Sequence, residues 1–497
     1  MHAVLLLAFG SFLTIPGLAG PSETPQNKSS EKPAAPEAKA VKPVTRKNTV
    51  TIDGKPVPYE VTAGKLQLQT DDGRSRASVF HVSYVRTDVT EARPVMFAFN
   101  GGPGSSAVWL HLGVLGPKRV NITGDGTLPP APPARVVDNP ESILDICDLV
   151  FIDPVSTGYS RIDKDAKPEE FHGLNGDVES VGEFIRRWIT ENKRWNSPKY
   201  LLGESYGGVR AAGLASYLQS RHGMMLNGVV LLSSLLDFAT LEGDLGQAVY
   251  LSAYTGVAHH YRKISGDRDA LVKECAEFAF GEYASALLKG NTLDPAVKAA
   301  LAAKLAKFTG IDAAVWQDRD LRIGPTFFRA ELLRKEGKII GRFDARVAWD
   351  AADRTATAPD CDPSYELAFG AFATATLDYL GRELGYREDR PYEVMSNKIH
   401  PWRWDSENEI VDVSDRLAGA MRENPHLRVL VMAGYTDLAT PPESVGHSVR
   451  QLRRLPASTL GNIRTVRYDG GHMFYLNAPD LKKTRTDLIQ FLTDSKP

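Results

Sequence analysis

Ten residues, Lys199-Tyr200-Leu201-Leu202-Gly203-Glu204-Ser205-Tyr206-Gly207-Gly208, constrain this chain more than any other stretch. Lys199 to Leu202 reads as a short buried strand, and Val209 to Leu218 has helical periodicity. Between them Gly203-Glu204-Ser205-Tyr206-Gly207 fits G-x-S-x-G, a strand-to-helix turn sharp enough to lift a serine oxygen clear of the backbone. Glycines bracket the serine because so tight a turn leaves no room for Cβ atoms and often needs φ > 0. The pattern alone is weak, since glycine-rich turns with a chance serine are common. Strand, bracketed serine and helix in that order make Ser205 a candidate nucleophile.

Other runs predict the sheet around this turn. Val95 to Phe99, Leu149 to Ile152 and Val229 to Leu232 are continuous apolar runs, as in strands covered on both faces by helices. Val50 to Ile52 and Val79 to Val85 also read as strands, with turns at Asp53-Gly54 and Asp72-Gly73. Gly176 to Asn192 reads as helix. From about 236 to 395 helical patterns dominate, as in Asp294 to Lys307, so this stretch reads as an inserted helical cap. Strand alternation resumes at Leu427 to Met432 and Ile463 to Tyr468. The prediction is an α/β domain over 48–497, its mostly parallel central sheet flanked by helices and interrupted by the cap.

With 42% hydrophobic and 24% charged residues, the 497-residue chain can bury a sizeable core. A net charge of −2 gives no reason to expect nucleic acid as a partner. Residues 1–20 resemble a secretory signal peptide: apolar from Ala3 to Leu13, then small residues Gly17, Ala19 and Gly20. That points to a periplasmic or secreted protein. The segment is too short and too broken by glycine and proline for a membrane span, so none is expected in the mature chain. Residues 21–47, rich in Pro, Ala, Ser, Lys and Glu, read as an extended tether. Cys147, Cys275 and Cys361 are too few for a disulfide scaffold and lack metal-ligand spacing. An oxidising compartment permits one bridge, Cys275 to Cys361, and Cys147 reads as a buried free thiol. No metal or organic cofactor is expected.

A serine hydroxyl needs an adjacent base, itself oriented by a third group. After the 427–432 strand comes Ala433-Gly434-Tyr435-Thr436-Asp437-Leu438, and after the next strand Asp469-Gly470-Gly471-His472-Met473. Alone, Asp437 could be a helix N-cap and His472 a surface-loop histidine. At successive strand ends, in the order Ser205, Asp437, His472, they read as acid and base.

Four motifs together resemble the serine carboxypeptidase family: Asn100-Gly101-Gly102-Pro103-Gly104-Ser105-Ser106, Asp153-Pro154-Val155-Ser156-Thr157-Gly158-Tyr159-Ser160, Gly203 to Gly207 and Gly471-His472-Met473. The resemblance implies an α/β-hydrolase fold and removal of single residues from peptide C-termini. It assigns attack to Ser205, proton transfer to His472 and orientation of the imidazole to Asp437. It gives the oxyanion hole to the N–H groups of Gly102 and Tyr206, and recognition of the terminal carboxylate to Asn100, Gly101 and Glu204. One carboxyl can bond another only through a shared proton, so peptide binding should weaken as pH rises. Met473 either lines the pocket of the departing residue or packs in the core. Trp109 and His400-Pro401-Trp402-Arg403-Trp404 either shape the cleft or belong to the core.

The chain also departs from the family pattern. Ser105 stands where a cysteine is frequent, Ala98 where a tryptophan is, and Val114 where a glutamate helps keep the proton between carboxyls. These departures keep an esterase or acyltransferase on the same fold as the alternative. A non-catalytic binding protein on this fold predicts decay of the triad, and all three residues are present.

Overall fold

The computed structural model describes residues 41–495 except 91 and 123. The expected signal peptide and residues 21–40 of the expected tether lie outside the described residues. The chain builds one ten-stranded sheet. Its main strands are β1 (Val44–Ile52), β2 (Lys55–Gln69), β3 (Ser75–Arg86), β4 (Val95–Phe99) and β5 (Asp148–Ile152). They continue as β6 (Lys199–Glu204), β7 (Gly228–Leu232), β8 (Arg428–Gly434) and β9 (Ile463–Tyr468). The order is β1-β2-β3-β5-β4-β6-β7-β8-β9, with the short strand Arg161–Ile162 paired to β3 off this path.

β1, β2, β3 and β5 pair antiparallel in turn. From β5 through β4, β6, β7, β8 and β9 every pairing is parallel. Every residue of β4, β5, β6 and β7 is buried, as strands enclosed on both faces require. β2 went unread in the sequence because Lys55, Pro56, Pro58, Glu60 and Gly64 dilute its strand signal. Its alternate residues Val57, Tyr59, Val61 and Ala63 are nonetheless buried.

β2 also corrects the tether boundary. Val44 lies opposite Ala63 and Lys47 opposite Glu60, so 44–47 belong to β1. Backbone pairing to a long neighbouring strand orders these residues although their side chains bury little.

Helices α1 (Leu174–Glu191) and α2 (Tyr206–His222) cover one face of the sheet. Phe184, Ile185 and Trp188 of α1 and Val209, Leu214 and Leu218 of α2 share a core with Phe97, Val150, Leu201, Val229 and Val431. Ile185 and Trp188, Phe184 and Trp188, and Leu214 and Leu218 stand three or four residues apart, the stripe that a sheet can bury.

Between β7 and β8 the chain leaves the sheet and forms α3 (Gly243–His260), α4 (Pro295–Thr309), α5 (Pro363–Asp378) and shorter helices, with a ribbon pairing Lys338–Ile340 to Ala348–Asp350. α4 shows why these helices begin and end where they do. Asp294 Oδ1 accepts the N–H of Ala296 at 2.8 Å, Pro295 takes the first turn, and Gly310 closes the helix at φ +70°. This region has its own core, with Tyr254, Tyr283, Leu301, Leu305, Trp316 and Phe328. Leu438, next to Asp437, is part of that core. The last helix, α6 (Ala478–Asp494), lays Phe491 against Tyr200 of β6, ring centroids 6.1 Å apart.

All three cysteines are free. The permitted Cys275–Cys361 bridge is not formed: Cys275 is sealed within the core of the inserted region, where burial pushes its thiol up to about 12, and Cys361 is only partly buried. Cys147 is fully buried, as expected.

Candidate active site

Parallel strands deliver their following loops to one edge of the sheet. Glu204 lies beside Leu232, Leu232 beside Met432, and Gly434 beside Tyr468. The loops bearing Ser205, Asp437 and His472 therefore leave the same edge of the sheet, those of Asp437 and His472 from adjacent strands and that of Ser205 from one strand further over.

Ser205 is half-buried with φ 61° and ψ −128°, and its N–H donates to Leu232 O at 3.0 Å. Such a backbone is strained for any residue with a Cβ and persists because its surroundings leave no alternative. A Cβ on Gly101 would sit 2.7 Å from Gly207 N and 2.8 Å from Glu204 O. One on Gly207 would sit 2.7 Å from Phe99 O. The loop after β4 and the serine turn thus meet backbone to backbone, which only glycine permits. Among the described residues, neither the Gly102 nor the Tyr206 N–H donates to a loop carbonyl. Tyr206 opens α2, so it has no intrahelical acceptor either.

His472 Nδ1 lies 2.8 Å from Asp437 Oδ2, with both side chains buried. Asp437 Oδ1 accepts the N–H groups of Ala439 at 2.8 Å and Thr440 at 2.9 Å. The N-cap-like role open to Asp437 in the sequence is thus filled by one oxygen while the other holds the imidazole. Burial works against a charged His472, yet the Asp437 carboxylate, its hydrogen bond and the charge of Glu204 hold the imidazole above its ordinary range. Ser205 Oγ makes no hydrogen bond to His472 in this structure. Of the three expected triad residues, Asp437 and His472 are thus bonded to each other, and hydrogen bonds between a nucleophile and its base are often long or unformed without substrate.

The inserted region supports this pair directly. Phe343 O accepts the His472 N–H at 2.5 Å, and Arg342 O accepts that of Leu438 at 3.0 Å. The Phe343 ring stands 5.0 Å from the imidazole. A Cβ on Gly471 would meet Asp344 Cα at 2.6 Å. Ser233 Oγ donates to His472 O at 2.7 Å, and Thr440 Oγ1 lies 2.6 Å from Ser233 O and 2.9 Å from Asp437 Oδ2. Sequence reasoning missed these supports. Thr440, three residues beyond Asp437, carried a local signal; Phe343 is remote and carried none.

Asn100 Nδ2 donates to Glu204 Oε2 at 2.8 Å, and the Leu110 N–H donates to Asn100 Oδ1 at 3.2 Å, which orients the amide. Tyr475, also missed, reaches Glu204 through its hydroxyl. Burial pushes the Glu204 carboxyl up to about 7, against the pull of His472 and its two donors. Arg210 braces the same loop: Nη1 donates to Asn100 O at 2.6 Å, and Nε lies 2.8 Å from Asp177 Oδ2. Both charges are buried, so Arg210→Met strands the Asp177 carboxylate. It should cost about 3–5 kcal/mol in urea unfolding. Adding Asp177→Leu should recover part of the loss.

Met473 is buried, 7% exposed. Trp109 Nε1 donates to Ser105 Oγ at 3.0 Å, and its ring lies 4.9 Å from Phe372 of α5, so it ties α5 to the loop after β4. Trp402 and Trp404 stand edge-on to Tyr206 at 5.6 and 6.0 Å and brace the residue after Ser205. Ala98 and Val114 are buried.

A mostly parallel sheet flanked by helices, with a serine turn after one strand and an acid and a histidine after later ones, defines an α/β-hydrolase fold. Residues 53–473 match the family model described as serine carboxypeptidase, and the chain belongs to that family. It is similar to serine carboxypeptidase-like 16 of Arabidopsis thaliana, 24% identical over 194 residues, 37% of this chain and 42% of that protein. It is also similar to the pheromone-processing carboxypeptidase kex1 of Pyrenophora tritici-repentis, 25% identical over 34% of this chain and 25% of that protein. The matched region thus spans less than half the length of either relative. Among solved structures, the prohormone-processing carboxypeptidase Kex1(delta)p from Saccharomyces cerevisiae shares the fold. Its TM-score is 0.54 at 16% identity, covering 88% of this chain and 92% of that one.

Proposed function

We propose that this chain is a serine carboxypeptidase that releases C-terminal residues from peptides through an acyl-enzyme. Ser205 Oγ attacks the scissile carbonyl carbon while His472 Nε2 takes its proton. The N–H groups of Gly102 and Tyr206 receive the oxyanion. The C–N bond breaks as His472 returns the proton to the departing amine, and water then repeats the sequence to free the acyl group. Asp437 orients and stabilises the imidazolium. Asn100, Gly101 and Glu204 receive the terminal carboxylate.

The observation that carries this reading is Glu204, a fully buried carboxyl directly before the nucleophile and bonded to Asn100. An ester substrate brings no free carboxylate for an acid there to bind. Protonated, it donates to a peptide carboxylate; ionised, it repels one. The test is hydrolysis of N-blocked dipeptides with free or amidated C-termini from about pH 4 to about pH 8. Free-acid substrates should lose kcat/KM as pH rises through the Glu204 titration, and Glu204→Gln, uncharged throughout, should abolish that pH dependence. Equal or better turnover of amidated substrates and simple esters would favour the esterase or acyltransferase reading, to which Ala98 and Val114 leave room.

The same carboxyl predicts a stability change. Glu204 holds its proton more tightly folded than unfolded, so its contribution is complete below its unfolded pKa and is lost as pH rises through about 7. The loss should amount to about 3 kcal/mol by pH 8. Thermal unfolding of Glu204→Gln should lack this decline. We further infer export to the periplasm or medium, supported by the apolar run from Ala3 to Leu13 and the small residues after it. No described helix is long and apolar enough to cross a membrane.

A further inference from the structure

Among the described residues no second carboxyl bonds to Glu204. Val114, where the family pattern has a glutamate, is apolar and 2% exposed within the helical turn His111–Leu115. The group that reaches Glu204 instead is Tyr475, three residues beyond His472. Its hydroxyl lies 3.0 Å from Oε2 and 3.2 Å from Oε1. These oxygens are its hydrogen-bond partners among the described residues. The ring is 1% exposed and lodges where Gly113 lacks a side chain: a Cβ there would come within 2.6 Å of Tyr475 Cε2. Phe474 stands edge-on beside it at 6.0 Å.

The chemistry of a phenol partner differs from that of a carboxyl. Two carboxyls share one proton, and either can hold it. A buried phenol keeps its own proton across the whole working range, and burial with Glu204 alongside pushes that of Tyr475 well above the ordinary value. It therefore always donates and never takes the Glu204 proton. Asn100 Nδ2 donates to Oε2 alone, and the Tyr475 hydroxyl is shared between Oε2 and, at the longer distance, Oε1, so Oε1 is the less engaged oxygen and the one to carry the proton to a bound carboxylate. The remaining charged groups that act on Glu204 are His472, which favours its anion, and Asp437, which opposes it.

We propose that Tyr475 is a positioning residue of the terminal-carboxylate site: its phenol holds Glu204 and, in place of a second carboxyl, sets the pH at which the site stops accepting a peptide's free C-terminus. The proposal rests on the carboxypeptidase reading for its effect on substrates, but not for its effect on Glu204 itself.

The experiment compares wild type and Tyr475→Phe by two readouts. The first is the pH profile of kcat/KM for a free-acid dipeptide and for the matching ester. Loss of a donor to the carboxylate lets Glu204 keep its proton to higher pH. The alkaline limb for the free acid should move up by about one pH unit, a tenfold change in proton affinity. The ester profile, whatever its height, should show no such limb. A purely structural tyrosine would lower both profiles and leave the limb in place, which overturns the proposal. The second readout is infrared titration of the protonated Glu204 carbonyl, identified as the band lost in Glu204→Gln. Its midpoint should rise by about one unit in Tyr475→Phe, and an unmoved midpoint overturns the proposal even if wild type shows no free-acid preference. Fluorinated tyrosine at 475 keeps the shape and donates more strongly, so it should shift both readouts downward. That variant decides the matter should the phenylalanine protein not fold.

Discussion

Ser205→Ala should lower kcat on free-acid dipeptides by about 10^6-fold and abolish labelling by serine-directed covalent probes. Alanine keeps the Cβ that the strained turn already accommodates at φ 61°, so the backbone has no reason to rearrange. The half-buried position also tolerates loss of the hydroxyl, which makes no hydrogen bond to His472 in the free protein. The loss is therefore one of chemistry and not of fold, and thermal unfolding should be unchanged within about 1 kcal/mol. Because nucleophile and base act as a unit, Ser205→Ala combined with His472→Ala should be scarcely slower than either alone. A single-turnover assay with an N-blocked dipeptide measures both. Full activity in Ser205→Ala would remove the acyl-enzyme from the mechanism.

Asp437→Asn should lower kcat by about 10^4-fold, for a reason visible in its hydrogen bonds. Oδ1 accepts two backbone N–H groups, from Ala439 and Thr440, and only an oxygen can do that. The asparagine must therefore keep its carbonyl there and turn its NH2 toward His472 Nδ1. The imidazole is then left with its proton on Nε2, facing the serine it should deprotonate. The charge that holds His472 above its ordinary range disappears as well. The acid limb of ester hydrolysis, where His472 takes up its proton, should accordingly move to lower pH. An Asp437→Asn enzyme with near-normal kcat would show that Asp437 does not set the tautomer.

The sheet was legible wherever apolar residues ran unbroken. Val95 to Phe99, Leu149 to Ile152 and Val229 to Leu232 lie in strands buried on both faces, and burial of that kind leaves only apolar choices. β2 escaped because half its surface faces water and two prolines sit within it, so its order comes from pairing with β1 and β3. Asp437 and His472 could be chosen because their loops follow successive strands of a parallel sheet, and Ser205 because its turn leaves another strand of the same sheet. Tyr475 and Phe343 could not. A tyrosine after Gly-His-Met-Phe gives no sign of its direction, and the loop at 343 is far along the chain from either residue that it supports.

The sequence by itself determined the strained serine turn, the order of Ser205, Asp437 and His472 along the chain, and the glycines without which two backbones could not touch. Those are local requirements: a φ that few residues accept, a Cβ with nowhere to go, a strand with no wet face. Only the tertiary structure decided what surrounds the two ionisable groups that matter most. The loop at Arg342 and Phe343 of the inserted region packs against His472 and the segment after Asp437, and Tyr475 and Asn100 bond Glu204 in its buried position. Desolvation and donor count set the affinity of a carboxyl for its proton, and both are properties of neighbours brought together by packing, not of position along the chain.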